Sequence, residues 1–283
     1  MALNERRHPF AGDGGGHPDA ELLAEYADQV LAADMRADVE RHVARCAECR
    51  AVLVDTMAFL AENARPRWQP RLIAATAGLA AAAALVIGII QPQWLGLETD
   101  PPGLRQLTIA MANEPTRPLE GRLAGDFSYA PAPALIRGLR GAADLTVSPD
   151  VRIAAATIEK AAQERDTPDR VAVLGVAFAA TGDLDRAVVS LERAVAREPG
   201  NARFQNNLSA VYMARAQYIL ALTAAERALA ADPRLREACF NRALAFERLA
   251  DGEARQAWER CLAAETDPAW SAEIRDHINT LKR

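Results

Sequence analysis

Apolar residues recur at helical spacing through most of the second half of this chain. Leu174-Gly175, Phe178, Gly182-Asp183, Ala187, Leu191, Ala194 and Pro199 are echoed 34 residues later by Leu208-Ser209, Tyr212, Ala221, Ala225, Ala228 and Pro233. Small residues recur where two helices must approach closely, large ones where the pair needs filling, and a proline ends each second helix. A more degenerate third pair spans Arg236–Ala264, with Cys239, Ala243, Phe246, Ala254, Trp258 and Cys261 on its helices. Asp150–Arg165 predicts a capping helix at one end, and Ile274, Ile278 and Leu281 predict a closing helix at the other, as terminal repeats require. Residues 150–283 therefore predict an α-solenoid of helix–turn–helix repeats. At the other end the pattern predicts three short helices. These carry Leu22, Leu23, Tyr26 and Val30, then Met35, Val39 and Val43, then Val52, Leu53, Met57, Phe59 and Leu60.

Between the two regions, Leu72–Ile90 runs 19 residues without a charge. A helix of that length spans about 28 Å, close to the hydrocarbon thickness of a bilayer. Arg65, Arg67 and Arg71 precede it, Glu98 and Asp100 follow it, and Trp68 and Trp94 bracket it. The expectation is one transmembrane helix in a bacterial inner membrane, with the N-terminus cytoplasmic and the C-terminal domain periplasmic or extracellular. Residues 1–16 form a glycine-bearing tail, 17–65 the N-terminal domain, 72–90 the span and 91–149 a spacer. That spacer holds eight of the 16 prolines, with a short helix over Leu104–Ala112 and an extended piece over Arg122–Tyr129. The fold class expected is all-α.

The net charge of −5 and a pI near 5.5 present no basic face, so direct nucleic-acid binding has no electrostatic support. Four cysteines do not make a secreted disulfide framework. Cys239 and Cys261 lie at similar distances from the Asp251-Gly252 turn, so antiparallel helices can bring them together. A bridge is open to them, but packing as two small apolar residues is the commoner outcome.

The chemistry concentrates in His42-Val43-Ala44-Arg45-Cys46-Ala47-Glu48-Cys49. His42 and Cys46 are i, i+4 and share a helical face, Cys49 follows past a turn, and His17 can close a tetrahedral set. His8, in the tail, is the weaker alternative to His17. Four protein ligands leave no open position for a catalytic water, and a thioredoxin-type C-x-x-C needs a βαβ context that is absent. With no nucleophile–base pair or phosphate loop in view either, the chain is expected not to be an enzyme.

His-x24-His-x3-Cys-x2-Cys ahead of a single span resembles the zinc-binding anti-sigma family over residues 17–63. The resemblance implies Zn2+ on His17, His42, Cys46 and Cys49, and an extracytoplasmic-function sigma factor as the cytoplasmic partner. Val52, Leu53, Met57 and Leu60 would offer that partner an apolar face. The 34-residue period resembles the tetratricopeptide repeat (TPR), which implies a concave groove for a protein or peptide. There Asn206, Asn207 and Asn241 are the candidates to grip a peptide backbone. The whole reads as a small three-helix zinc-binding domain, a transmembrane helix and a TPR-like α-solenoid. Its expected role is a membrane regulator that restrains a sigma factor. The competing reading is a membrane-anchored TPR scaffold whose zinc domain is only structural or a docking module.

Overall fold

A computed structural model of the protein describes residues 17–28, 30–64, 101–132 and 147–281, with the side chains of the third helix as far as Met57. The N-terminal unit consists of α1 (Ala20–Ala27), α2 (Ala33–Arg45) and α3 (Ala47–Ala64). Asp19 starts α1 by accepting a hydrogen bond from the Leu22 amide at 2.8 Å, which satisfies one of the donors a helix start leaves unpaired. Cys46 alone separates α2 from α3: its extended backbone (φ −103°, ψ 104°) breaks the helical ladder and turns the chain. Leu22, Leu23, Leu31, Val39, Val43 and Leu53 close a small core, and the Tyr26 hydroxyl donates to Glu40 Oε1 to tie α1 to α2.

Beyond it come α4 (Leu104–Ala112) and α5 (Pro149–Glu164), followed by three antiparallel pairs. These are α6 (Pro168–Ala180) with α7 (Leu184–Arg197), α8 (Ala202–Ala214) with α9 (Tyr218–Ala231), and α10 (Arg236–Arg248) with α11 (Ala254–Ala264). α12 (Pro268–Thr280) closes the stack. Proline begins α5, α6 and α12, where its missing N–H costs nothing. Thr167, Asp183 and Asn201 cap α6, α7 and α8 with their side chains.

The 34-residue period has a steric cause. Gly175, Ser209 and Ala243 occupy equivalent positions in the three first helices. A Cβ on Gly175 would lie 2.6 Å from Leu191 Cγ, so α6 and α7 meet only because no side chain intervenes. Ser209 instead donates to the Ala221 carbonyl at 2.7 Å across the next pair, and Ala243 is fully buried in the third. Leu191, Leu222 and Leu244 are completely enclosed between helices, each contributing on the order of 2 kcal/mol by leaving water. Trp258, Phe240 and Trp270 fill the C-terminal end, with edge-to-face ring contacts at 4.9 and 5.3 Å. The tetratricopeptide-like solenoid is thus present as a stack of helix pairs. Cys239 and Cys261 are joined by a disulfide that ties α10 to α11, with Cα atoms 5.6 Å apart. The bridge, not simple packing, is the outcome, because the facing helices bring the two Cβ atoms within reach.

The membrane expectations are corrected. Among the described residues no helix is long and apolar enough to cross a membrane. The longest, α3, has 18 residues but carries Glu48, Arg50, Asp55 and Glu62, charges that oppose insertion. The packing disagrees with that topology as well: α2 and α3 lie against α9, so the helices that carry His42 and Cys49 and the solenoid are in direct contact, with no room for ~30 Å of hydrocarbon between them. The transmembrane element of the fold class and the single-pass inner-membrane placement with a periplasmic C-terminal domain are therefore set aside. Leu72–Ile90 itself lies outside the described residues.

Candidate metal centre and peptide groove

His17, His42, Cys46 and Cys49 converge where α2 ends and α3 begins, their ligand atoms all within 4.8 Å of one another. His17 Nδ1 lies 3.1 Å from Cys49 Sγ and 3.5 Å from Cys46 Sγ, and His42 Nε2 lies 3.3 Å from Cys49 Sγ. A tetrahedral zinc ion, with Zn–N near 2.0 Å and Zn–S near 2.3 Å, would hold its donors roughly 3.3–3.8 Å apart. The donor set and its spacing fit that ion. Burial and the neighbouring His17 hold the His42 imidazole below its ordinary pKa and favour its neutral, ligating form. Burial first, then the Cys46 thiol and Glu48, push the Cys49 thiol up to about 11. A divalent cation is the charge that would offset this cost by binding the thiolates. With four protein donors the centre is closed, as structural zinc sites are.

The two arginines that bracket the cysteines reach the solenoid. Arg50 Nη1 donates to the Val43 and Ala44 carbonyls, which the break at Cys46 leaves without helical partners. Its Nη2 reaches both carboxylate oxygens of Glu226 on α9, at 3.0 and 3.3 Å. Arg45 Nε donates at 3.0 Å to Asp251, a carboxylate with no exposure, at the turn between α10 and α11. Of the expected apolar face, Leu53 is completely buried in the unit's core, Met57 is half-buried against it, and Val52 is exposed. The Leu60 side chain lies outside the described residues.

Asn206, Asn207 and Asn241 are buried in the solenoid's groove, holding a stretch of this same chain. Asn241 Oδ1 accepts the Arg122 amide at 2.7 Å, while Asn241 Nδ2 and Asn206 Nδ2 donate to the Arg122 carbonyl at 2.9 and 3.0 Å. Asn207, 34 residues before Asn241, repeats the arrangement on Ala124, accepting its amide at 2.7 Å and donating to its carbonyl at 3.2 Å. Residues 117–124, within the stretch expected as a spacer, therefore lie against the first helices of the repeats. Three further residues complete the grip. Glu273 accepts two hydrogen bonds from Arg117, Glu265 accepts from Arg122 at 2.5 Å, and both guanidiniums lie over the Trp270 ring, 4.8 and 4.1 Å from its centroid. No periodicity marks these three, because their function depends on arginines more than 140 positions away.

A zinc-finger domain joined to a TPR-like solenoid is the class this architecture defines. The family model described as "Putative zinc-finger" matches residues 20–50, which include His42, Cys46 and Cys49 but not His17. Among solved structures, the chain is similar to TTC0263, a thermophilic TPR protein of Thermus thermophilus. Identity there is 22%, covering 46% of this chain and 71% of that one, at a TM-score of 0.41. It is also similar to the Sgt2 TPR domain from Aspergillus fumigatus, at 26% identity over 40% of this chain and 75% of that one, TM-score 0.37. A MamA RS-1 variant gives 22%, 45%, 71% and 0.41 in the same order. No curated protein matches the sequence.

Proposed function

We propose that the chain is a zinc-dependent regulator by protein binding: its N-terminal His2Cys2 unit captures and restrains a sigma factor, and its solenoid holds a polypeptide. The observation that carries the reading is the closed cluster of His17, His42, Cys46 and Cys49 at the α2–α3 junction, in a unit too small to be secured by its core alone. Val52, exposed on α3, supplies apolar surface beside the cluster. The reading assigns the chain no catalysis. It is tested by binding the full-length, zinc-loaded chain to purified extracytoplasmic-function sigma factors from the same genome, with and without a chelator, and by assaying transcription from the matching promoters. Zinc-dependent capture of one sigma factor together with repression supports the reading; a folded, zinc-loaded chain that captures none overturns it.

One observation favours a second reading, in which the zinc unit is a structural docking module of a repeat scaffold. Arg45 and Arg50 fasten that unit to Asp251 and Glu226 of the solenoid, an attachment a free-standing capture domain does not need.

A further inference from the structure

We propose that residues 117–124 are an exchangeable, built-in ligand of the solenoid groove, and that the groove's external partner is a polypeptide that bends as this segment does, with two arginines five residues apart and a glycine directly before the second. The inference deepens the reading of the solenoid as a polypeptide-binding module and rests on it.

The groove reads main chain. Asn207 and Asn241 each bond both the amide and the carbonyl of one residue, Ala124 and Arg122, two positions apart along the segment. Any peptide backbone that follows the same path over these three residues offers the same atoms, so these contacts fix register and direction without demanding a side chain there. Specificity comes from three places. The Arg122 guanidinium is buried between Glu265 and the face of Trp270, and Arg117 is paired through two N–H groups with Glu273. At Gly121 the backbone is pressed against α8: a Cβ there would meet Ala210 Cα at 3.0 Å and Asn241 Oδ1 at 3.1 Å. An arginine, a glycine and a second arginine at these positions are what the seat selects.

The segment also leaves the groove partly unfilled. A cleft of about 790 Å3 opens beside Pro118, Leu119 and Glu120, and a second of about 370 Å3 beside Ala124, Gly125 and Phe127. Larger side chains on a polypeptide in the same register would fill these clefts, reaching Asp276 and His277 in the first and Arg203 and Phe204 in the second. The resident segment thus competes at high effective concentration but does not use all the surface the seat offers.

The test uses the full chain and a fluorescent synthetic peptide of residues 115–131. A resident ligand lowers apparent affinity by the fraction of time it vacates the seat. Gly121→Val, which drives the segment off α8, should therefore bind the peptide about tenfold or more tighter than the parent chain does. Adding Asn207→Ala and Asn241→Ala to that variant should abolish binding. Equal affinity for the parent and Gly121→Val overturns the proposal. The parent chain supplies a second test by hydrogen exchange, independent of whether the variant folds. The amides of Arg122 and Ala124 should exchange well ahead of those of Ala210 and Leu244; exchange only with global unfolding overturns the built-in-ligand role. A folded Gly121→Val chain that binds no peptide removes the groove's peptide-binding reading altogether. Binding by Gly121→Val, with only global exchange at Arg122 and Ala124 in the parent, leaves that reading standing and removes the exchange alone.

Discussion

Arg50 fastens the metal centre to Glu226 of the solenoid while it caps the helix that carries His42. Its guanidinium satisfies the end of α2 through the Val43 and Ala44 carbonyls and spans to both oxygens of Glu226. Only 12% of the Arg50 side chain is exposed, against 35% for Glu226, so the pair is screened less than a surface ion pair. Arg50→Ala should cost roughly 2 kcal/mol, and Glu226→Ala roughly 1, because only the first change also strips the α2 carbonyls of a donor. A double-mutant cycle read by chemical denaturation should give a coupling near 1 kcal/mol. A coupling indistinguishable from zero would show that the two units merely touch.

Metal removal should act on the two parts of the molecule differently. The core of the N-terminal unit rests on a handful of side chains, chiefly Leu22, Leu23, Val39, Val43 and Leu53, so the binding energy of a metal held by His17, His42, Cys46 and Cys49 would be folding energy. Chelation, or Cys46→Ser, should melt α1–α3 while the solenoid keeps its helices. Circular dichroism would register a partial loss of helix, followed by one cooperative transition at higher temperature. A Cys46→Ser chain that melts as the parent does, at full helical content, would refute a structural metal.

The turns inside the repeats carry a conformational cost that can be relieved. Gly182, Ala216 and Ala250 stand 34 residues apart, each in the left-handed region, with φ of 84°, 57° and 52°. Glycine occupies that region freely, whereas alanine brings its Cβ against the backbone. Ala216→Gly and Ala250→Gly should each stabilise the chain by about 0.5 kcal/mol, once the greater freedom of the unfolded glycine is subtracted. Gly182→Ala should destabilise it by roughly 1 kcal/mol purely through backbone strain, since its Cβ would meet nothing within 4 Å. Denaturant midpoints of the three variants decide the matter; a stabilising Gly182→Ala would be incompatible with the turn geometry.

How far the fold can be read from the chain follows from where each constraint acts. Gly175, Ser209 and Ala243 betray the helix pairs because close approach imposes the same steric demand in every repeat, and the demand is local. The convergence of His17 with Cys46 and Cys49 is visible for a similar reason: few arrangements bring two imidazoles and two thiols together within one small unit. The occupant of the groove is not legible. Asn207 and Asn241 can be placed on first helices by periodicity, but they bond the backbone of Ala124 and Arg122, which has no side-chain signature. The docking of α2 and α3 on α9 is hidden too, since Arg50 and Glu226 lie 176 positions apart and arginines and acids abound on any helical surface. Apolar length and charged flanks suggest a membrane span at 72–90, and that criterion takes no account of long-range packing.

The Cys239–Cys261 bridge closes a loop within the third repeat, the most degenerate of the three in sequence. A separation of 22 residues gives a loop-closure contribution of about 3 kcal/mol in the chain-entropy picture. Replacing both cysteines by alanine, or reducing the bridge, should lower stability by about 2–4 kcal/mol and loosen α10 and α11 first. Because α10 carries Asn241, hydrogen exchange at the Arg122 amide should rise in the same variant. Unchanged stability on reduction would mean the α10–α11 packing alone holds the repeat.

Acid should act on the groove through Glu265. Burial alone would raise its carboxyl, but hydrogen bonds from the Asp267 amide, the Arg122 guanidinium and the Thr266 amide outweigh that effect and hold it below the ordinary carboxylate value. A group whose folded pKa is depressed contributes its stability above the unfolded value, about 4.3 for a glutamate, and loses it as pH falls through the folded one. The Arg122 seat should therefore be intact at neutral pH and weaken only in the acid range below about 4.3. Glu265→Gln should reproduce that weakening at pH 7, because it keeps the shape but removes the charge paired with Arg122 and Arg236. Exchange at the Arg122 and Ala124 amides, followed against pH, should show the step in the parent chain and a smaller one in Glu265→Gln. A step of equal size in both would place the acid sensitivity elsewhere and deny Glu265 its part in holding the segment.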